Sequence, residues 1–409
     1  MRIGLDARGL TNVNRYRGIG RYTARMVEAL ARNAGEEMEF LLFGYGERPG
    51  PRLLGEETLQ RVPWVSVPYM GNYSYPGMLA EHLLYARAVR KAGVDVFHGM
   101  DHNLTPFLSC PTLVTVHDLV LLVLRGPYLG PTARAWMFFH RAAARRARFV
   151  VAVSRHTARD VERVWKIPPE RIAVIPEGIT PEYAPVTDGE AVRAALSRHG
   201  IEPPYFLYLG GFDPRKNLHN MLLAFKRFLF LHGTCYHLVL AGDRQGFEAY
   251  LDGLVEELGL EDLVYFTGFI PEEDLPSLYC GATAFLCVSL YEGFGLPLLE
   301  AMACGTPVLA SRASSLPEVV GEAGILVDPS DPAEIAAGML RLAEDERHRV
   351  ELSKRGRERA ASFTWDRAAS MVIDIYRGIA EEIKGGGTAH VRGSREPPCP
   401  LPHRRRGEE

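Results

Sequence analysis

The sequence predicts an α/β protein built from two doubly wound domains that face a central cleft. Three observations carry that expectation. Short, continuously apolar runs alternate with longer amphipathic ones, the alternation runs through twice, and a proline-rich break at a change of charge sign divides the two series. Strands that are apolar along their whole length belong to sheets covered on both faces, and strand–helix alternation builds parallel sheets. A length of 409 residues suffices for two cores, and 47% hydrophobic with 24% charged residues excludes wholesale disorder.

In the first series the expected strands are Arg2–Ala7, Glu39–Gly44, Val94–Gly99, Thr112–Asp118, Arg148–Ser154 and Ile172–Gly178. Helices are expected at Ile19–Asn33, Gly77–Ala92 and Arg155–Trp165. The second series gives strands at Tyr205–Gly211, Tyr236–Asp243, Leu263–Phe269, Thr283–Ser289, Thr306–Arg312 and Gly324–Pro329. Its helices fall at Asn217–His232, Gly246–Leu258, Leu296–Cys304 and Pro332–Ala343. Pro176, Pro181, Pro185, Pro203 and Pro204 mark the boundary, so the expected division is a first domain over 1–180, a linker over 181–204 and a second domain over 205–363. The span 364–384 reads as one amphipathic helix with Trp365, Met371, Ile375 and Ile379 on one side, which must bury against a surface such as the first domain. The stretch 385–409 is Gly/Pro/Arg-rich without periodicity and reads as a disordered tail.

Charge separates the halves. Residues 1–176 hold 24 Lys+Arg against 15 Asp+Glu, and the remainder holds 23 against 35. The acidic half opposes extended phosphate neutralisation, which excludes nucleic-acid wrapping. The six cysteines form no Cys-x-x-Cys pair and read as buried free thiols of a reducing compartment. Asp6 interrupts any signal-peptide core and no long uncharged apolar run exists, so a cytoplasmic protein with at most peripheral membrane contact is expected.

In open α/β sheets, ligands bind beyond the carboxyl ends of the strands, so the turns there carry the chemistry. The strongest is Ser289-Leu-Tyr-Glu-Gly-Phe-Gly-Leu-Pro-Leu-Leu-Glu300. Gly293 and Gly295 let backbone amides approach a ligand at a helix start, and Glu292 and Glu300 are two carboxylates able to grip sugar or ribose hydroxyls. A second turn, Leu209-Gly-Gly-Phe-Asp-Pro-Arg-Lys-Asn217, sets Arg215 and Lys216 beside Gly210, Gly211 and an expected helix start. Cations have no favourable dipole role there, but they fit a diphosphate held between them and the amides. The first strand is followed by Asn14-Arg-Tyr-Arg-Gly-Ile-Gly-Arg-Tyr22, where Gly18, Gly20 and Arg21 are expected to face the Arg215 region. His117 and Asp118 close another buried strand, Asp118 serving the cleft, capping a helix or orienting the His117 imidazole. Arg141, Arg145, Arg146 and Arg148 form a basic patch that reads as a solvated helix face or as a contact for anionic lipid heads.

These motifs together resemble the retaining glycosyltransferases of family four, over about residues 2–377. The resemblance implies the GT-B fold of two Rossmann-like domains, the first for the acceptor and the second for a nucleotide-sugar donor. It implies that Glu300 binds the donor ribose and that Glu292, Gly293, Phe294 and Gly295 hold the sugar. Arg215 and Lys216 would take the diphosphate, His117 would contact the sugar near the reacting carbon, and backbone around Phe269 and Ile270 would hold the base. The Gly-Ile-Gly-Arg-Tyr segment is similar to that of mannosyltransferases, which leans toward GDP-mannose. Two departures stand out: Pro176-Glu177-Gly178 replaces the common Pro-Asn-Gly, and Gly-Ile-Gly replaces the commoner Gly-Gly-x loop.

The expected function is transfer of a hexose from a nucleotide diphosphate sugar to a hydroxyl of a glycan or lipid-linked acceptor, with retention, without metal and without cofactor. No Asp-x-Asp motif is present. The alternatives are a nucleotide-sugar 2-epimerase of the same architecture, which needs no acceptor, and a non-catalytic sugar-nucleotide-binding module.

Overall fold

The computed structural model describes residues 1–12, 15, 17–69, 75–124, 131–233, 236–244 and 246–385. The stretch read as a tail, from residue 386 onward, lies outside these, as do Asn14, Cys235 and Cys399. The strands of the first half are β1 (Arg2–Asp6), β2 (Glu39–Tyr45), β3 (Trp64–Val67), β4 (Val96–Gly99), β5 (Thr112–Val116), β6 (Phe149–Ala152) and β7 (Ile172–Val174). Those of the second are β8 (Tyr205–Leu209), β9 (His237–Ala241), β10 (Val264–Gly268), β11 (Ala284–Cys287), β12 (Val308–Ser311) and β13 (Ile325–Val327).

They form a seven-stranded sheet in the order β3-β2-β1-β4-β5-β6-β7 and a six-stranded sheet in the order β10-β9-β8-β11-β12-β13. Every pairing is parallel. In each sheet the order reverses beside the first strand, at β1/β4 and at β8/β11, and such switch points open the crevice where ligands bind. The turns after β1, β4 and β5 are thereby set to meet those after β8 and β11.

Several features were not foreseen, among them the helices Leu275–Gly281 and Glu346–Ala360. Strand β3 is a short edge strand broken by Ser66, so it lacks the continuous apolar signature of the central strands. The segment 181–204 carries a helix, Gly189–Arg198, capped by the Asp188 side chain and buried through Ala195 and Leu196 against the helix Leu275–Gly281. The arginine patch also divides. The helix Pro131–Arg146 holds Arg141, Arg145 and Arg146, but Arg148 lies past its end, and its Nε and Nη2 pair with Glu382 at 2.6 and 2.5 Å.

Glu382 belongs to the helix Trp365–Gly385, which returns to the first domain. There it packs on the helix Gly18–Asn33, with Trp365 edge-on to Tyr22 at 5.6 Å and Asp366 paired with Arg32 at 2.6 Å. The two interdomain passages of the chain run side by side, the Ile179 amide donating to the Phe363 carbonyl at 3.0 Å. Gly178 makes this crossing possible, since a Cβ there would lie 2.2 Å from the Trp365 nitrogen. One apolar cluster then runs from Leu5 and Tyr22 through Trp365 and Ile375 into Phe294 and Leu298 of the second domain. Among the described residues, no helix is long and apolar enough to cross a membrane.

A buried polar relay ties the returning helix down. The Tyr376 hydroxyl lies 2.6 Å from His98 Nδ1, and His98 Nε2 lies 2.9 Å from the Thr115 hydroxyl. Burial pushes His98 down to about 3, so the ring is neutral, with one nitrogen donating and the other accepting. Tyr376→Phe leaves His98 Nδ1 without its hydrogen-bond partner and is expected to lower the unfolding free energy by about 1–3 kcal/mol, read as a lower urea midpoint at neutral pH. Because an unfolded histidine titrates near ~6.5, the unfolded chain binds more protons than the folded one below that value. His98 therefore withdraws stability as pH falls from there toward about 3. An unchanged midpoint in the variant would show that the relay holds nothing.

Candidate active site

The second domain supplies one wall. After β8, a single 3-10 turn, Pro214–Lys216, ends at Asn217 in a left-handed conformation before the helix Leu218–His232. The Asn217 amide donates to the Val288 and Pro329 carbonyls at 3.0 and 2.7 Å, pinning this turn to the segments after β11 and β13. The chain after β11 makes the Ser289–Gly295 turn and enters the helix Leu296–Ala303. Both turns converge on Glu292, 9% exposed. Its Oε1 accepts from Lys216 Nζ at 2.6 Å and Ser289 Oγ at 2.7 Å, and its Oε2 from Arg215 Nη1 at 2.9 Å. Burial opposes its ionisation, but Lys216 and Arg215 outweigh burial and hold the carboxyl at about 2. Arg215 is braced further by Asp213 at 3.0 Å and by the Tyr291 carbonyl at 3.1 Å.

The first domain supplies the opposite wall through the turn after β5. Its closest approach is at Gly293, where a Cβ would lie only 2.0 Å from the His117 carbonyl oxygen. Only glycine lets the two backbones meet. The Thr157 hydroxyl sits between them, 3.1 Å from the His117 carbonyl and 3.2 Å from that of Gly293. The His117 ring is nearly buried, with Nε2 3.0 Å from the Met100 carbonyl and Nδ1 3.4 Å from Glu177. Asp118 accepts from the Val120 amide at 3.1 Å as a local cap, and its charge also acts on Arg215.

Glu300 stands apart from Glu292. It is 1% exposed, accepts from the Tyr279 hydroxyl at 2.9 Å and is ion-paired with Arg21 of the first domain. Burial pushes its carboxyl above the ordinary range, against the pull of Arg21 and Tyr279. Arg21 also donates to the Tyr183 hydroxyl at 2.7 Å and lies 3.5 Å from Glu272. The expectation that Arg21 faces Arg215 is corrected here: the helix Gly18–Asn33 carries it to Glu300 instead. Gly18 and Gly20 form the first turn of that helix. Gly210 and Gly211 follow β8, where the Tyr208 hydroxyl donates to the Gly211 carbonyl at 2.6 Å. Phe269 is 69% exposed just past β10, while Ile270 and Phe294 are buried in the interdomain core.

The structure thus gathers His117, Asp118, Arg215, Lys216, Glu292 and Gly293 at one seam, and Arg21 with Glu300 beside it. Several positioning residues were missed. The Ser314 hydroxyl accepts from the Glu292 amide and donates to the Glu292 carbonyl, at 2.7 and 2.6 Å. The Ser315 hydroxyl lies 2.9 Å from the Glu292 and Phe294 carbonyls. Their place directly after β12 was a usable signal, because that strand adjoins β11. Glu318, whose carboxylate accepts from the Arg155 and His156 amides at 3.0 Å, gave none. Among the described residues, no group of three or more His, Cys, Asp or Glu side chains could hold a metal ion. The arrangement offers fixed cations, backbone amides and buried carboxylates, a set suited to an anionic, hydroxyl-rich ligand.

Comparison with known proteins gives the family and the fold. The model of the family described as glycosyl transferases group 1 matches residues 195–359, and that of Glycosyltransferase Family 4 matches residues 16–183. The O-antigen chain mannosyltransferase B of Escherichia coli is 30% identical over 376 residues, covering 88% of this chain and 96% of the relative. Sucrose-phosphate synthase from Thermosynechococcus elongatus has the same fold, with a TM-score of 0.73 at 23% identity over 93% of this chain and 99% of its own. The Anabaena protein HepE, solved in complex with UDP and glucose, gives a TM-score of 0.71 at 18% identity over 92% of this chain and 99% of its own. Matched in both halves and along nearly the whole of that relative, the chain belongs to the group 1, family four glycosyltransferases and is an enzyme of the two-domain GT-B fold.

Proposed function

We propose that this enzyme transfers mannose from GDP-mannose to a hydroxyl of a lipid-linked glycan, with retention of anomeric configuration and without a metal ion or cofactor. The observation that carries the reading is the pair Arg215–Lys216, held side by side on Glu292 at the seam of the two domains. The mannosyltransferase name of the Escherichia coli relative supports the choice of sugar.

The diphosphate lies against Arg215, Lys216 and the amides after β8. These cations are already fixed, so charge arriving on the phosphate in the transition state meets them without reorganisation. Glu292 is a poor nucleophile, because donors engage both of its oxygens. With retention as the family resemblance implies, the acceptor hydroxyl attacks the anomeric carbon from the face the phosphate leaves. As the bond from acceptor oxygen to carbon forms and the bond from carbon to phosphate oxygen breaks, the acceptor proton passes to the departing phosphate. Glu300 and Tyr279 grip the ribose hydroxyls, with Arg21 closing the cleft over them.

The acceptor side carries a surface suited to a lipid anchor. Leu79 and Leu83 of the helix Tyr75–Ala92, Phe107, Leu121, and Phe138 of the helix Pro131–Arg146 are exposed, and Arg145 and Arg146 are exposed farther along the same helix as Phe138. Exposed apolar side chains and exposed arginines on the same domain suit an anionic bilayer surface, with Arg148 excluded by its pairing to Glu382.

Transfer from GDP-mannose to a polyprenyl-linked glycan, assayed with GDP-glucose, UDP-glucose and ADP-glucose as controls, tests the donor. Lys216→Ala and Glu300→Gln are each expected to cut turnover about a hundredfold or more, because each removes a charged contact in the ~2–4 kcal/mol range. Wild-type turnover in both variants would remove the donor-site assignment. Sedimentation with anionic liposomes is expected to weaken steeply from low to high salt and to be lost on Arg145→Glu with Arg146→Glu. Sedimentation indifferent to salt and to both reversals would return that face to plain solvent.

A further inference from the structure

Glu177 stands where the family commonly carries asparagine, and the structure gives that exchange a chemical consequence. The His117 ring is held on three sides: Met100 offers its carbonyl to Nε2 at 3.0 Å, Glu177 offers Oε1 to Nδ1 at 3.4 Å, and Tyr22 meets the ring edge-on at 4.6 Å. The side chains of His117 and Glu177 are 11% and 7% exposed. A carbonyl oxygen has no proton to give, so Nε2 carries one. A carboxylate facing Nδ1 asks for a second. A neutral ring would set a lone pair against a negative oxygen in a site too dry to screen the repulsion.

Of the other charged and titratable neighbours, Asp101 acts in the same direction. Asp101, in the turn after β4, adds its negative charge while pairing with His102 at 2.9 Å, Asp118 follows His117 in the chain, and Tyr22 contributes a hydroxyl bonded to Thr115 at 3.3 Å. Burial disfavours the charged ring, but Glu177 and Asp101 outweigh it and hold the imidazole above its ordinary value.

We propose that Glu177 is a positioning residue that fixes His117 as an imidazolium at the seam opposite the Gly293 turn. As a cation His117 complements the charge of the departing diphosphate, and with both nitrogens protonated it cannot serve as the general base for the acceptor. This second consequence rests on the transferase reading above. The protonation state stands on the geometry of this chain alone. An asparagine amide at this position would donate to Nδ1 and stabilise the neutral ring.

The test has a spectroscopic arm and a kinetic arm. Nitrogen-15 spectra of the full chain labelled at histidine, with His117 assigned by its loss in His117→Gln, are expected to show both ring nitrogens protonated at neutral pH. Glu177→Gln, whose amide can donate to Nδ1, is expected to convert the ring to the singly protonated form at the same pH. In the kinetic arm, wild-type kcat falls on the alkaline side as the ring deprotonates. Glu177→Gln is expected to move that limb to lower pH and to lower kcat about tenfold at neutral pH, with KM for the donor changed less than about threefold. Glu177→Asp, with a shorter carboxylate, is expected to shift both readouts in the same direction by less, and it serves if the glutamine variant does not fold. A His117 ring that is singly protonated in the wild type, or equally protonated in wild type and both variants, overturns the proposal. The spectra need no substrate, so they report on the pair even if GDP-mannose proves not to be the donor.

Discussion

One buried carboxylate sets the geometry of the site. Glu292 is withdrawn from water and stays ionised only because Lys216, Arg215 and Ser289 surround it. Removing one partner of such a cluster leaves charge uncompensated in a dry place, which commonly costs several kcal/mol (about 3–5). The cluster therefore locks the turn after β8 to the turn after β11, and it presents two cations at a fixed spacing. Ser314 and Ser315, from the turn after β12, hold the Glu292 backbone, so three neighbouring strand ends converge on one residue.

Topology explains why the convergence happens there. Reversal of strand order at β8/β11 opens a crevice between the turns that carry Arg215 and Glu292, and the matching reversal at β1/β4 places the first domain's turns opposite. The two halves are held together by more than a flexible joint. The paired passages at Ile179 and Phe363, the returning helix Trp365–Gly385, and the backbone contact between His117 and Gly293 fix how the walls meet. The pair Arg21–Glu300 adds a charged contact across the same seam.

Much of this was legible in the sequence, for physical reasons. Twelve of the strands announced themselves as short apolar runs, including the half-buried edge strands β7, β10 and β13, whereas in Trp64–Val67 the run is only four residues long and broken by Ser66. Glu292, Gly293, Arg215, Lys216 and His117 were singled out because each lies directly after a buried strand within a motif that resembles a known family, since such charges taken alone read as surface or structural groups. Partnerships across the seam were not legible. Periodicity places Arg21 on a helix but not which carboxylate it meets, and it gives no hint that Glu318 would cap the helix Arg155–Asp160 of the other domain. Glu177 was visible only as a departure from a family pattern, and its contact with His117 depends on how two strand ends lie side by side in space.

The central claim is that Arg215 and Lys216, fixed by Glu292, hold the diphosphate of the donor. Calorimetry of GDP and of guanosine binding, to the wild type and to Lys216→Ala, tests it without requiring an acceptor. The account predicts that the variant loses about tenfold or more in GDP affinity, as expected for one charge-assisted contact. It predicts unchanged guanosine affinity, since the contacts proposed for base and ribose lie away from Lys216. Equal GDP affinity in wild type and variant, or a loss shared equally by guanosine, would contradict it.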